Sequence, residues 1–176
     1  MKFKLLTFSS LASIIALAGC AEYDLKKAPG YQFTKEQPIH LNVKNFKIIN
    51  TPVGIETPTT KNLRLSLEDW GNSRFVPYGQ DKNAILIVEE AKLLTHQDEY
   101  KGKIRVKLEL RDEHGFIVGS ANAAVNRTLK LPVDLSLEER ETQLKRFQQE
   151  MINDVDAQMT KQLVQHLPTY ISTLMS

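Results

Sequence analysis

One cysteine stands out among the residues able to do chemistry: Cys20, in the run Leu17-Ala18-Gly19-Cys20. A thiolate is a strong nucleophile, and a lone cysteine has no partner for a disulfide within its own chain. The other reactive side chains are scattered. The 4 histidines, His40, His96, His114 and His166, lie in a strand pattern, at a strand end, in a turn and in a helix pattern. No two of them stand at metal-ligand spacing, so each reads as solvated or packed and no metal is expected. Glu89-Glu90 is an adjacent carboxylate pair inside a strand pattern. One of the two must point toward the covered face, where it either gains a functional, shifted pKa or pairs with Lys103, Arg105 or Lys107. Trp70, Arg74 and Phe75 form an aromatic and basic cluster beside a loop. Trp70 reads as a core anchor, whereas an exposed cluster would suit contact with a partner. No Gly-x-Ser-x-Gly elbow, His-Glu-x-x-His pair or glycine-rich phosphate loop occurs, so neither enzyme chemistry nor a cofactor is expected.

What precedes Cys20 gives it a context. Lys2 and Lys4 make a positive start, and Leu5 to Leu17 is apolar apart from the small hydroxyls of Thr7, Ser9, Ser10 and Ser13. That stretch is shorter than the roughly 20 apolar residues of a membrane-spanning helix and has the length of a signal-peptide core. Leu17-Ala18-Gly19-Cys20 resembles the lipobox of bacterial lipoproteins. The resemblance implies cleavage between Gly19 and Cys20, diacylglycerol on the thiol and a further acyl chain on the new amino terminus. Two or three acyl chains anchor stably where one does not. Ala21 follows the cysteine, where aspartate is the inner-membrane retention signal of the well-studied sorting pathway. By that resemblance the expected destination is the periplasmic face of the outer membrane rather than the inner membrane.

Removing residues 1–19 changes the charge balance. The precursor has 23 basic and 21 acidic residues, and Lys2 and Lys4 leave with the signal, so the mature chain is formally neutral. No run of five basic residues occurs, and no nucleic-acid partner is expected. Residues 20–38, with Lys26-Lys27, Pro29-Gly30 and Pro38, read as a lipidated tether, and residues 39–176 as one periplasmic domain.

The elements follow from periodicity. Ile39, Leu41 and Val43 alternate with polar residues as in a half-buried strand, and Phe46 and Ile48 continue on the other parity, which predicts a bulge near Asn45. Thr51 to Thr60 reads as a loop by Pro52, Gly54 and Pro58. Ser66-Leu67-Glu68-Asp69 looks like a helix start, giving a short helix that ends at Trp70-Gly71. Ile85-Leu86-Ile87-Val88 predicts a strand covered on both faces. Ile104, Val106, Leu108 and Leu110 alternate with charged residues, so one face of that strand is core and the other wet. Asp112-Glu113-His114-Gly115 predicts the turn into a partner strand from Phe116 to Leu129, whose Gly119, Ala121, Ala123 and Val125 leave room for a bulky neighbour. Ser136-Leu137-Glu138-Glu139 fits a capping box, and Leu144, Phe147, Met151, Val155, Met159, Leu163 and Leu167 make the stripe of a helix of about thirty residues ending before Pro168. That stripe is read as core, with a membrane-surface or coiled-coil seam as the alternative. Tyr170 to Met175 is a short apolar tail, docked or frayed.

The expected fold is therefore α+β: an antiparallel sheet of about four strands, with a short helix and a long C-terminal amphipathic helix on one face. This order, with the lipobox, resembles small periplasmic lipoproteins that assist envelope assembly, such as the lipopolysaccharide-assembly lipoprotein of the outer-membrane translocon. The auxiliary lipoproteins of ABC transporters are a comparable match. The stretches from Trp70 to Gly79 and from Ile85 to Ala91, and the hairpin to Asn126-Arg127-Thr128, resemble an uncharacterised group of alphaproteobacterial lipoproteins. These resemblances imply a non-enzymatic accessory or assembly subunit that binds an envelope protein by a sheet edge or loops. The alternative is a lipoprotein holding a lipid or small molecule between the small-residue strand and the long helix, in a cavity lined by Ala121, Ala123, Met151 and Met159. A filled core with an exposed apolar patch favours the first reading, and a cavity the second.

Overall fold

Ser136 Oγ accepts from the Glu139 amide at 3.3 Å, and the Glu139 carboxylate accepts from the Ser136 amide at 2.9 Å. This reciprocal box starts α2 (Leu137–His166). It satisfies two amides that a helix start otherwise leaves open. In the computed structural model, which describes residues 37–51 and 56–172, the stripe predicted for α2 is buried: Phe147, Met151, Val155, Met159 and Leu163 all face the core. The signal, Cys20 and most of the tether lie outside the described residues, as do residues 52–55 and 173–176.

The remaining elements are β1 (Ile39–Leu41), β2 (Asn45–Asn50), α1 (Pro58–Arg74), β3 (Phe75–Pro77), β4 (Asn83–His96), β5 (Glu99–Arg111), β6 (Ile117–Lys130) and β7 (Ile171–Ser172). A 3-10 turn at Pro168–Tyr170 leads into β7. The α+β class holds, but the sheet is not wholly antiparallel. The main sheet has the order β2-β4-β5-β6, with β2 parallel to β4 and the other pairs antiparallel. A second, 3-stranded sheet runs β3-β1-β7. The parallel pairs exist because α1 carries the chain back between them, as parallel strands require. The change of parity near Asn45 is thus no bulge: β1 and β2 belong to different sheets. The register shifts instead between Val88 and Glu90 on the β4–β5 ladder and between Leu110 and Arg111 on the β5–β6 ladder.

α1 begins earlier than predicted. Thr57 Oγ1 accepts from the Thr60 amide at 3.2 Å, and Pro58 stands in the first turn, where its missing N–H costs nothing. Ser66 is consequently mid-helix, and the stretch read as loop ends at Thr57. At the sheet's far end Asp112 Oδ1 accepts from the amides of His114 and Phe116, and Gly115 takes a φ of 85°, closing the predicted β5–β6 turn. The small-residue face of β6 lies under α2 as expected: Ala121, Ala123 and Val125 are buried in one apolar cluster with Met151, Val155 and Met159. The tail is docked as far as Ser172, since β7 pairs with β1.

Candidate docking surfaces and the buried polar clamp

The helices cover one face of the main sheet and leave the other open. Register and burial separate the two faces. Leu86, Val88, Val106, Leu108, Leu110, Ala121 and Ala123 point into the core. The opposite parity of β5 sets Lys101, Lys103, Arg105, Lys107 and Arg111 on the open face. Lys47 of β2, Lys92 of β4 and Lys130 of β6 flank that row. Ile85 and Ile87 of β4 share this face, and Ile49, 42% exposed, and Leu94, 56% exposed, are the exposed apolar residues that β2 and β4 add to it.

Acids on this face are held by bases. Glu109, on β5 between Lys107 and Arg111, is covered to 4% exposure. It accepts from Lys107 Nζ at 2.8 Å and from Arg111 Nη2 at 2.6 Å. These two partners, Lys107 foremost, hold its carboxyl below the usual range against the opposing effect of burial. Glu90 pairs with Lys92 at 3.0 Å and Arg105 at 3.1 Å, and its carboxyl is lowered, chiefly by Lys92. Of the partners foreseen for the Glu89-Glu90 pair, Arg105 is the one it meets. Glu89 falls at the bulge and Glu90 on the open face, so neither is a buried acid. Lys47, Lys103 and Lys130 form no ion pair among the described residues, and the open face is therefore basic.

The buried acid is Asp156 on α2. Its Oδ1 accepts from Trp70 Nε1 at 2.8 Å and from Arg74 Nε at 2.7 Å. Arg74 also donates to Thr160 Oγ1 at 3.1 Å and to the Gln37 carbonyl. Phe75 is buried beside them, with the Trp70 ring set edge-on at 5.5 Å. In the cluster of Trp70, Arg74 and Phe75, Arg74 and Phe75 are buried and Trp70 is half-buried, so the group is packed rather than exposed. The core-anchor reading of Trp70 is the one that the geometry supports. The missed member, Asp156, had a signal: it interrupts the apolar stripe of α2 between Ile152 and Met159.

Side chains reach into the space proposed for a ligand. A methyl group at Gly102 of β5 would fall 2.2 Å from Met151 Sδ, and Leu167 lies 2.5 Å from the corresponding point at Gly119. Ala121, Ala123, Met151 and Met159 are each at most 2% exposed within the continuous core. Exposed apolar side chains occur singly along the chain, and three consecutive ones meet at the hairpin tip, where Phe116 is 70% and Ile117 52% exposed. Among the described residues no group of three His, Cys, Asp or Glu is placed to hold a metal ion. His40, His96, His114 and His166 are not brought together; His40 packs edge-on against Tyr78 at 6.2 Å.

No family model and no curated protein matches the chain. Among solved structures it is similar to a minor lipoprotein from Acinetobacter baumannii, with 18% identity, 68% of this chain and 91% of that chain covered, and a TM-score of 0.35. Lipoprotein B from Nitrosomonas europaea has 17% identity, coverage of 67% and 79%, and a TM-score of 0.37. Rare lipoprotein B from Shewanella oneidensis has 12% identity, coverage of 66% and 92%, and a TM-score of 0.37. Likenesses this distant carry no argument about what this chain does.

Proposed function

We propose that this chain is a bacterial envelope lipoprotein, cleaved after Gly19 and acylated at Cys20, whose domain is a non-enzymatic accessory subunit for an envelope protein. The anchor rests on the order of Lys2 and Lys4, the apolar run to Leu17 and the Ala18-Gly19-Cys20 ending. Docking rests on one structural observation: three consecutive large apolar side chains, Phe116, Ile117 and Val118, stand exposed together at the hairpin tip. The close approach of Met151 to Gly102 and of Leu167 to Gly119 favours the partner reading over the ligand-binding one. Ala21 supports the outer membrane, facing the periplasm, as the destination.

The test is affinity purification of the tagged, membrane-anchored protein beside a Phe116→Ser/Ile117→Ser variant. Both side chains are exposed, so the variant should melt like the wild type while losing the co-purified partner. Undiminished partner recovery would remove the tip from the interface. Density-gradient separation tests the destination, and recovery wholly with inner-membrane markers would refute it.

A further inference from the structure

The basic open face is a different surface from the hairpin tip, and its composition identifies what it meets. We propose that this face rests on an anionic phospholipid surface. The proposal goes beyond the accessory role but rests on the anchor reading for its setting: Cys20 in a membrane lies at most about 70 Å of extended chain from Ile39.

Three features select a lipid surface over an acidic protein. The row on β5 is mostly lysine, a mobile point charge suited to headgroups that have no fixed geometry. Protein interfaces are depleted in lysine and enriched in aromatic residues. This face carries no Trp, Tyr or Phe among the described residues. Its acids are already occupied: Glu109 by Lys107 and Arg111, Glu90 by Lys92 and Arg105, and Glu99 by Lys101. Its excess charge sits on Lys47, Lys103 and Lys130, which have no ion pair within the described residues, and on the pairs of bases that share Glu90 and Glu109. Ile49 and Leu94 add exposed apolar area beside the charges, the combination by which proteins lie on anionic membrane surfaces.

The experiment uses the unacylated mature chain, beginning at Ala21, sedimented with vesicles. Binding is expected to vesicles of phosphatidylglycerol and phosphatidylcholine in equal parts, and not to phosphatidylcholine alone. It should vanish near 1 M salt, where charges are screened beyond about 3 Å. The variant Lys47→Ser/Lys103→Ser/Lys130→Ser should lose about a hundredfold in partitioning, roughly fivefold for each lysine. A control with the same change of net charge on the helices, Lys61→Ser/Lys145→Ser/Lys161→Ser, should keep most of it. All these lysines are exposed or on the open face, and unchanged melting curves verify the fold of both variants. Equal binding to neutral vesicles, no binding to anionic ones, or equal loss in the two variants would each overturn the proposal. Because the probe carries no acyl chain, failure here is distinct from failure of the anchor, which fatty-acid labelling of Cys20 reads separately.

Discussion

Arg74 Nε donates to Asp156 Oδ1 at 2.7 Å in the seam between α1 and α2, with both residues at most 8% exposed. Each charge sits on the buried stripe of its helix, and each compensates the other for lost water. Removing one member of a buried pair costs about 3–5 kcal/mol. Asp156→Ala, which also strips Trp70 Nε1 of its acceptor, is expected to lower unfolding free energy by that amount in a urea titration. Replacing both charges, as Arg74→Met with Asp156→Leu, should recover most of the loss. Wild-type stability in Asp156→Ala would show that the pair does not hold the helices together.

Acid should weaken the domain through Glu109. Its carboxyl is held below its ordinary 4.5, first by Lys107 and then by Arg111. A group with a lowered folded pKa contributes stability that is present above the unfolded value and lost as pH falls through the folded one. Melting temperature should therefore drop as pH falls below about 4.5, and Glu109→Gln should flatten part of that drop. A variant with the full wild-type acid response would assign the effect to other carboxylates, Glu90 and Glu139 among them.

The α2 stripe is core, so Phe147→Ala should cost about 3–5 kcal/mol. That is a large share of the roughly 5–15 kcal/mol available to a domain of this size. Gly102→Ala should cost less, about 1–3 kcal/mol, because the atoms in its way belong to the flexible end of Met151. Thermal melts of the two variants give the order directly; a stable Phe147→Ala protein would return the stripe to the surface.

At the start of α2, Ser136→Ala removes the oxygen that accepts from the Glu139 amide. The expected loss is about 1 kcal/mol, with fraying confined to the first turn. Amide exchange should speed up from Leu137 to Arg140 and stay unchanged near Val155. Uniform acceleration along α2 would mean that the cap governs the whole helix.

Local signals were legible and distant pairings were not. α2 could be read from Ser136, Glu139 and the stripe through Leu163, and the β5–β6 hairpin from its alternation and Gly115, because each is fixed by neighbours in sequence. The parallel β2–β4 pair was not legible, since α1 began at an unrecognised cap, Thr57, and the helix looked too short to be a crossover. Ile39 to Ile48 was read as one strand, because a change of parity looks alike in a bulge and in a change of sheet. Arg74 and Asp156 meet across 82 positions. Their only trace in sequence is that each charge interrupts an apolar stripe, at Leu67-Gly71-Arg74 and Ile152-Asp156-Met159. The Glu89-Glu90 pair drew attention to acids that turned out to be partly exposed, while Glu109, the covered one, looked like an ordinary member of a wet strand face.

The anchor at Cys20 is the claim on which the account turns, and metabolic labelling with a radioactive fatty acid measures it most directly. The wild-type protein should carry label and run at the size expected after loss of residues 1–19. Cys20→Ser should carry none and remain uncleaved, because a hydroxyl cannot replace the thiolate in the lipid transfer. Label retained in Cys20→Ser, or an unlabelled wild-type protein, would contradict the account.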